Sequence, residues 1–240
     1  MAIIKTYPDP ETLAREAAMN FIDCANEAIS ERDHFSVALA GGSTPKALYQ
    51  TLATLEMVPR VVWEKVYVFW SDERCVAPNH EDSNYRMAFD TMLQHLPIPV
   101  KQIYRMEGEL EPKEAANVYE GRLKQFFQQK PPRFDLVLLG LGDDGHTASL
   151  FPGTKALKET QRWVTANYVR KLSAWRLTLT PRLINQATNV TFLVSGEGKA
   201  QALQRVLAGR FNPEELPAQM IRPDHGQLCW LVDAGAAALL

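Results

Sequence analysis

An uninterrupted apolar run, Leu136, Val137, Leu138 and Leu139, ends at once in a loop that sets Gly140, Gly142 and Gly145 among Asp143, Asp144, His146 and Thr147. A strand that is apolar at every position must be covered on both faces, which is the condition of a central strand in a parallel sheet. Parallel neighbours need crossover connections, usually helices, so this run already points the chain toward an α/β fold. The glycines let the backbone turn tightly at the carboxyl end of the strand, where open α/β sheets bind their ligands. Asp144 and His146 stand two apart. One loop can therefore carry an imidazole and the carboxylate that orients it, the pairing that general-base chemistry needs.

The same glycines spell GxGxxG, but a dinucleotide site requires a long helix directly after the motif. Pro152 and Gly153 would stop such a helix after about two turns, so the match is a weak candidate. A plainer use of the loop is a capped turn, with Asp143 or Asp144 satisfying backbone N–H groups and His146 facing solvent.

The rest of the chain alternates helical and strand patterns without a low-complexity linker. At 240 residues with 46% hydrophobic residues, it can bury one sizeable core, and a single domain spanning residues 1–240 is expected. A formal net charge of -2 offers no basic footprint for nucleic acid or an anionic membrane. No segment approaches the roughly 18 consecutive apolar residues of a membrane span, and charged residues follow Met1 to Tyr7 where a signal peptide would be apolar. Cys24, Cys75 and Cys229 are odd in number and far apart, which reads as free thiols in a reducing cytoplasm.

In order, Met1–Tyr7 reads as a short strand and Pro10–Arg32 as a packing helix with Leu13, Ala17, Phe21, Cys24, Ala25 and Ala28 inward. Phe35–Ala40 is a short buried strand leading into Gly41-Gly42-Ser43-Thr44-Pro45. There the glycines free the backbone, Ser43 or Thr44 suits the N-cap and Pro45 the first helical position. Exposed N–H groups beside two hydroxyls suit an oxyanion, although an ordinary capped helix start has the same residues. Val66–Trp70 is the next strand, ending in Ser71-Asp72-Glu73-Arg74. Two acids and an arginine are costly to bury unpaired, and the reading preferred here is that they face a ligand.

A helix follows with Asp82 or Ser83 at its start, Met87, Phe89, Met92 and Leu93 among its apolar positions, and Asn84 and Tyr85 either packing or facing the pocket. Val100–Tyr104 is expected as a strand, Pro112–Gln128 as a helix, and Trp163–Tyr168 and Trp175–Leu179 as strands, with Arg170, Lys171 and Arg176 clustered around their ends. Asn189–Val194 is a further strand, followed by a glycine turn into a helix that carries Lys199 in its first turn, a poor place for a cation unless an anion is near. Leu228–Val232 is expected to close the sheet.

The segments at residues 41–45, 71–74 and 140–152 together resemble the signature segments of the 6-phosphogluconolactonases. The Arg176–Thr180 run and the Ser195–Ala200 turn follow in the expected order, so the likeness covers nearly the whole chain. It implies a modified Rossmann-like α/β sandwich, with a mostly parallel central sheet and helices on both faces. It also implies a cytoplasmic enzyme, a monomer or small homo-oligomer, that hydrolyses 6-phospho-D-glucono-1,5-lactone in the pentose phosphate pathway without metal or organic cofactor. The related glucosamine-6-phosphate deaminases resemble the chain less. They carry a DEY-type segment where Asp72, Glu73 and Arg74 stand, and follow Asp-Gly-His with Ile-Phe and a glutamate where this chain has Thr147 to Phe151. A phosphosugar-binding regulator without catalysis is opposed by the presence of both Asp144 and His146. Carried over from the resemblance, His146 is the base and Asp144 its orienting carboxylate. Arg74 and Lys171 are phosphate ligands, with Arg176 a third cation. Gly41, Gly42, Ser43, Thr44 and Asp72 line the substrate site.

Overall fold

The structure is a computed structural model, and it describes residues 2–128 and 132–240. The chain opens with β1 (Ile3–Tyr7), α1 (Pro10–Arg32), β2 (Phe35–Leu39), α2 (Ser43–Leu52), β3 (Val66–Trp70), β4 (Asp72–Arg74), α3 (Asn84–Thr91) and α4 (Pro112–Phe126). It continues through β5 (Leu136–Leu139), β6 (Val164–Val169), β7 (Ala174–Leu179), α5 (Pro181–Ile184), β8 (Asn189–Val194), α6 (Ala200–Ala208) and β9 (Gln227–Asp233).

Six strands form one parallel sheet in the order β1-β9-β8-β5-β2-β3, with helices packed around it. All four residues of β5 are buried, as their unbroken apolarity requires. A buried carboxylate fixes the start of that strand. Asp135 accepts from the backbone N–H and hydroxyl of Ser36 at 2.7 and 2.8 Å and pairs with Arg32 at 2.9 Å. From β2 the chain steps outward to β3, whereas β5, β8 and β9 build the other way. The loops leaving β2 and β5 therefore part at the point where the strand order reverses, the place where open α/β sheets leave a crevice.

A second, antiparallel sheet of order β4-β7-β6 stands beside the first. Ser71 joins the two. Its N–H donates to Leu39 O at 2.8 Å in the parallel sheet, while its carbonyl accepts from Leu179 N–H at 2.8 Å in the antiparallel one. Asp72, Glu73 and Arg74 are thus a strand rather than a loop, in register with Thr178, Leu177 and Arg176.

Three further expectations are corrected. Val100–Tyr104 is not a strand: Val100–Gln102 forms a single 3₁₀ turn after Pro99, and only Ile103 makes an isolated bridge to Val68. β9 lies inside the sheet, and the exposed β1 is the edge strand, because the N-terminal segment returns to pair with it. The cap of α2 is Gly42, with Ser43 already helical, so neither hydroxyl caps the helix. In α3 the cap is Ser83, which accepts from Arg86 N–H at 3.1 Å, and Phe89 lies on the exposed side.

Candidate active site

The crevice at the carboxyl edge of the sheet is a cavity of about 350 Å³. The loop after β2 forms one wall. Ala40 is held through both its N–H and its carbonyl by the Tyr49 hydroxyl, at 3.0 and 2.8 Å, which locks the strand to α2. A Cβ at Gly41 would fall 2.0 Å from Asn84 Oδ1, so only glycine admits the Asn84 side chain here. Gly42 takes a left-handed φ of 103° and caps α2 without a side chain, which leaves the first N–H groups of the helix without a side-chain acceptor. They border a smaller recess of about 110 Å³ that adjoins the cavity and is lined by Ser43, Thr44 and Lys199.

The loop after β5 forms the floor. Gly142 N–H donates to His146 O at 2.8 Å and Gly145 N–H to Gly142 O at 2.9 Å, winding the loop into a tight turn. His146 Nδ1 lies 2.6 Å from Asp144 Oδ1, and Lys171 Nζ lies 3.0 Å from Asp144 Oδ2. The imidazole beside it, and then Lys171, hold the Asp144 carboxyl well below the usual carboxylate range against the opposing effect of burial. An ionised Asp144 accepts the Nδ1 proton, so the lone pair of neutral His146 is on Nε2. The ring makes no other side-chain hydrogen bond among the described residues. Asp143, two residues from Gly145, pairs with Lys199 instead.

The antiparallel sheet supplies the opposite wall. Because Arg74 and Arg176 are register partners on β4 and β7, their guanidinium groups enter the cavity side by side. Arg74 donates to Asp82 O at 2.8 Å and Arg176 to Trp175 O at 3.0 Å. Neither has a carboxylate within ion-pair distance among the described residues. Burial, and next the neighbouring Arg74 charge, push the Arg176 guanidinium down from its usual range. Two adjacent cations without a counter-ion are an unfavourable arrangement that an anionic ligand would relieve.

Asp72 is buried at the cavity wall, where Ser149 Oγ donates to it at 2.7 Å and Asn84 Nδ2 at 3.3 Å. Glu73 corrects the sequence reading, for it faces inward and not a ligand. Its carboxylate accepts from the N–H groups of Arg74, Asn84 and Tyr85 at 2.7, 2.7 and 2.8 Å and from Ser83 Oγ at 3.1 Å, so it ties β4 to the start of α3. Burial pushes that carboxyl up while the three N–H groups pull it down.

His146, Asp144, Gly41, Gly42, Asp72, Arg74, Lys171 and Arg176 thus meet on one cavity, whereas Ser43 and Thr44 belong to the adjoining recess. Asn84, left open by the sequence, lines the cavity. Ser149 and Phe151 were not anticipated; the only signal was their place just after the histidine, in a stretch read as a helix stop. Among the described residues no group of three or more His, Cys, Asp or Glu is placed to hold a metal ion, and no helix is long and apolar enough to cross a membrane.

The family described as glucosamine-6-phosphate isomerases/6-phosphogluconolactonase matches residues 8–230. The chain belongs to this family. Among its relatives, the 6-phosphogluconolactonase of Synechocystis sp. is 46% identical over 214 residues, which cover 88% of this chain and 86% of that protein. The 6-phosphogluconolactonase of Nostoc sp. is 39% identical over 241 residues, 99% of this chain and 98% of that one. The solved structure of 6-phosphogluconolactonase from Trypanosoma brucei superposes with a TM-score of 0.87 at 30% identity, covering 100% of this chain and 99% of that chain.

Proposed function

We propose that this family member hydrolyses 6-phospho-D-glucono-1,5-lactone to 6-phosphogluconate, with His146 as the general base. The observation that carries the reading is the meeting, in one cavity, of a carboxylate-oriented imidazole and two arginines that lack counter-ions. The relatives named 6-phosphogluconolactonase support the choice of substrate. A cavity of about 350 Å³ suits a hexose phosphate.

In the proposed reaction Nε2 of His146 takes a proton from water as the oxygen attacks C1 of the lactone. Asp144 keeps the proton on Nδ1 and stabilises the imidazolium that forms. Collapse of the tetrahedral intermediate breaks the bond from C1 to the ring oxygen, and the imidazolium returns the proton to that oxygen. The product carries a free hydroxyl and a carboxylic acid that ionises. Arg74 and Arg176 hold the phosphate, with Lys171 at the rim, where it can reach the phosphate or Asp144. The bare N–H groups at the start of α2 and the Lys199 side chain form a second anion-binding wall of the same site. A cytoplasmic location fits the three free cysteines.

Glucosamine-6-phosphate deamination is the competing reading within the family. Freshly prepared lactone and glucosamine 6-phosphate offered to the same preparation separate the two: acid release above the spontaneous rate supports the lactonase, whereas ammonia release without it supports the deaminase.

A further inference from the structure

The segment after His146 makes no helix, yet it is held more firmly than a connecting loop needs. Ala148 takes a left-handed φ of 46°, a conformation that costs a residue bearing a Cβ about 1 to 2 kcal/mol. The turn it begins is pinned at several points. Thr154 donates to Phe151 O through both its N–H and its hydroxyl, at 3.2 and 2.7 Å, and Asn167 Nδ2 donates to Thr154 Oγ1 at 3.0 Å and to Ser149 O at 2.9 Å. The outcome is that Phe151, nearly buried, lays its ring against the imidazole of His146, with centroids 4.0 Å apart and planes 20° from parallel. Gly142 supplies the clearance. A Cβ there would fall 2.0 Å from Nδ1 and 2.1 Å from Cε1 of the same ring.

We infer that Phe151 and Gly142 are positioning residues for the base: together they fix the plane of the His146 ring so that Nδ1 meets Asp144 and Nε2 faces the cavity. A single hydrogen bond to Asp144 leaves the ring free to swing about that contact, and a flat wall at van der Waals distance removes this freedom. The strained alanine is then part of the device, because it turns the chain back over the imidazole. This inference rests on the proposed role of His146 in lactone hydrolysis, and it adds two residues of the cavity lining that act on the reaction through the imidazole.

The test compares the wild type with Phe151→Leu, Phe151→Tyr and Gly142→Ala. Leucine keeps the bulk of a buried apolar side chain but loses the flat face, whereas tyrosine keeps the face. We expect kcat to fall by roughly 10-fold to 100-fold in Phe151→Leu and Gly142→Ala, the scale of a misplaced catalytic group, with KM changed less than about threefold. Phe151→Tyr should retain most of the wild-type rate. The second measurement needs no turnover. Long-range ¹H–¹⁵N correlation spectra of neutral His146, assigned with His146→Asn, should show the Nδ1–H tautomer in the wild type and in Phe151→Tyr, and a mixture of tautomers in the other two variants. A folded Phe151→Leu with the wild-type tautomer and kcat overturns the inference, and so does a loss confined to KM. If the wild type does not hydrolyse the lactone, the functional reading fails on its own, and the spectra still decide whether Phe151 and Gly142 orient the ring.

Discussion

Replacing Arg176 with Met should move stability and binding in opposite directions. In the free protein Arg176 faces Arg74 across adjacent strands without a carboxylate partner, and burial already disfavours its charge. Like charges directly opposite each other on a sheet cost about 0.2 to 1 kcal/mol, and solvent still reaches this pair, so relief of about 0.5 kcal/mol is the expected gain. Methionine preserves the apolar stem that packs beside β4. In a chain of this size that gain corresponds to a rise in Tm of about 1 to 2 °C.

With 6-phosphogluconate bound the sign should reverse. Loss of a charge-assisted hydrogen bond to phosphate, worth about 1.5 to 3 kcal/mol, weakens binding by roughly 10-fold to 100-fold. At a ligand concentration of about 100 times the wild-type Kd, binding stabilises the wild type by about 2.7 kcal/mol but the variant by only about 0.4 to 1.4 kcal/mol. The variant should therefore melt above the wild type without ligand and below it with ligand. Thermal unfolding at the two ligand concentrations reads both. A variant that melts lower without ligand makes Arg176 a structural cation, and an unchanged ligand-induced shift removes it from the anion site; either result refutes the reasoning.

Asp144→Asn should lower kcat by at least about 10²-fold in a direct rate assay, because an amide no longer fixes the imidazole tautomer or stabilises its cation. The same substitution should cost stability near neutrality. Because the folded-state pKa of Asp144 is depressed, its stabilisation is present above the ordinary aspartate range and is lost as pH falls through the depressed value, so the two unfolding curves should converge in acid. Glu73→Gln should cost about 1 to 3 kcal/mol in urea unfolding, since the amide nitrogen leaves at least one buried donor at the start of α3 without an acceptor; an unchanged midpoint would contradict its role in tying β4 to α3. Ala148→Gly should raise stability by up to about 1 kcal/mol by relieving the left-handed alanine, and a loss there would mean that the methyl packing outweighs the strain.

What the sequence disclosed follows from how local each signal is. The apolar run of β5 and the glycine loop behind it are self-contained over a few residues, and so the strand, the turn and the Asp144–His146 pair could be read directly. The amphipathic spacing of α1 was equally plain, and each of the six residues assigned inward is buried. Val100–Tyr104 misled because its branched and aromatic residues suit a strand, whereas Pro99 starts a turn and the sheet offers only one bridge. The strand at Asp72–Arg74 could not be seen, since its partner lies about a hundred residues further along the chain. For the same reason Arg74 and Arg176 could be named as cations but not as neighbours. Glu73 looked like a ligand because, apart from the adjacent Arg74 N–H, the backbone donors that occupy its carboxylate come from residues 84 and 85, beyond an intervening loop. Phe151 was hidden by its own apolarity, which from sequence says burial and not which ring it will meet.

The most direct test of His146 as the base pairs turnover with binding in His146→Asn. Acid release from freshly made 6-phosphogluconolactone is followed against the spontaneous rate, and the affinity for 6-phosphogluconate is measured by calorimetry on the same preparations. Asparagine keeps a polar side chain but cannot take and return a proton, so the catalysed rate should fall by about 10²-fold to 10⁴-fold. The product, which the proposed function places on Arg74 and Arg176, should bind within about tenfold of the wild-type Kd. A folded variant that retains near-normal turnover would contradict the assignment of His146 as the base, and a wild type that adds nothing to the spontaneous rate would contradict lactone hydrolysis itself.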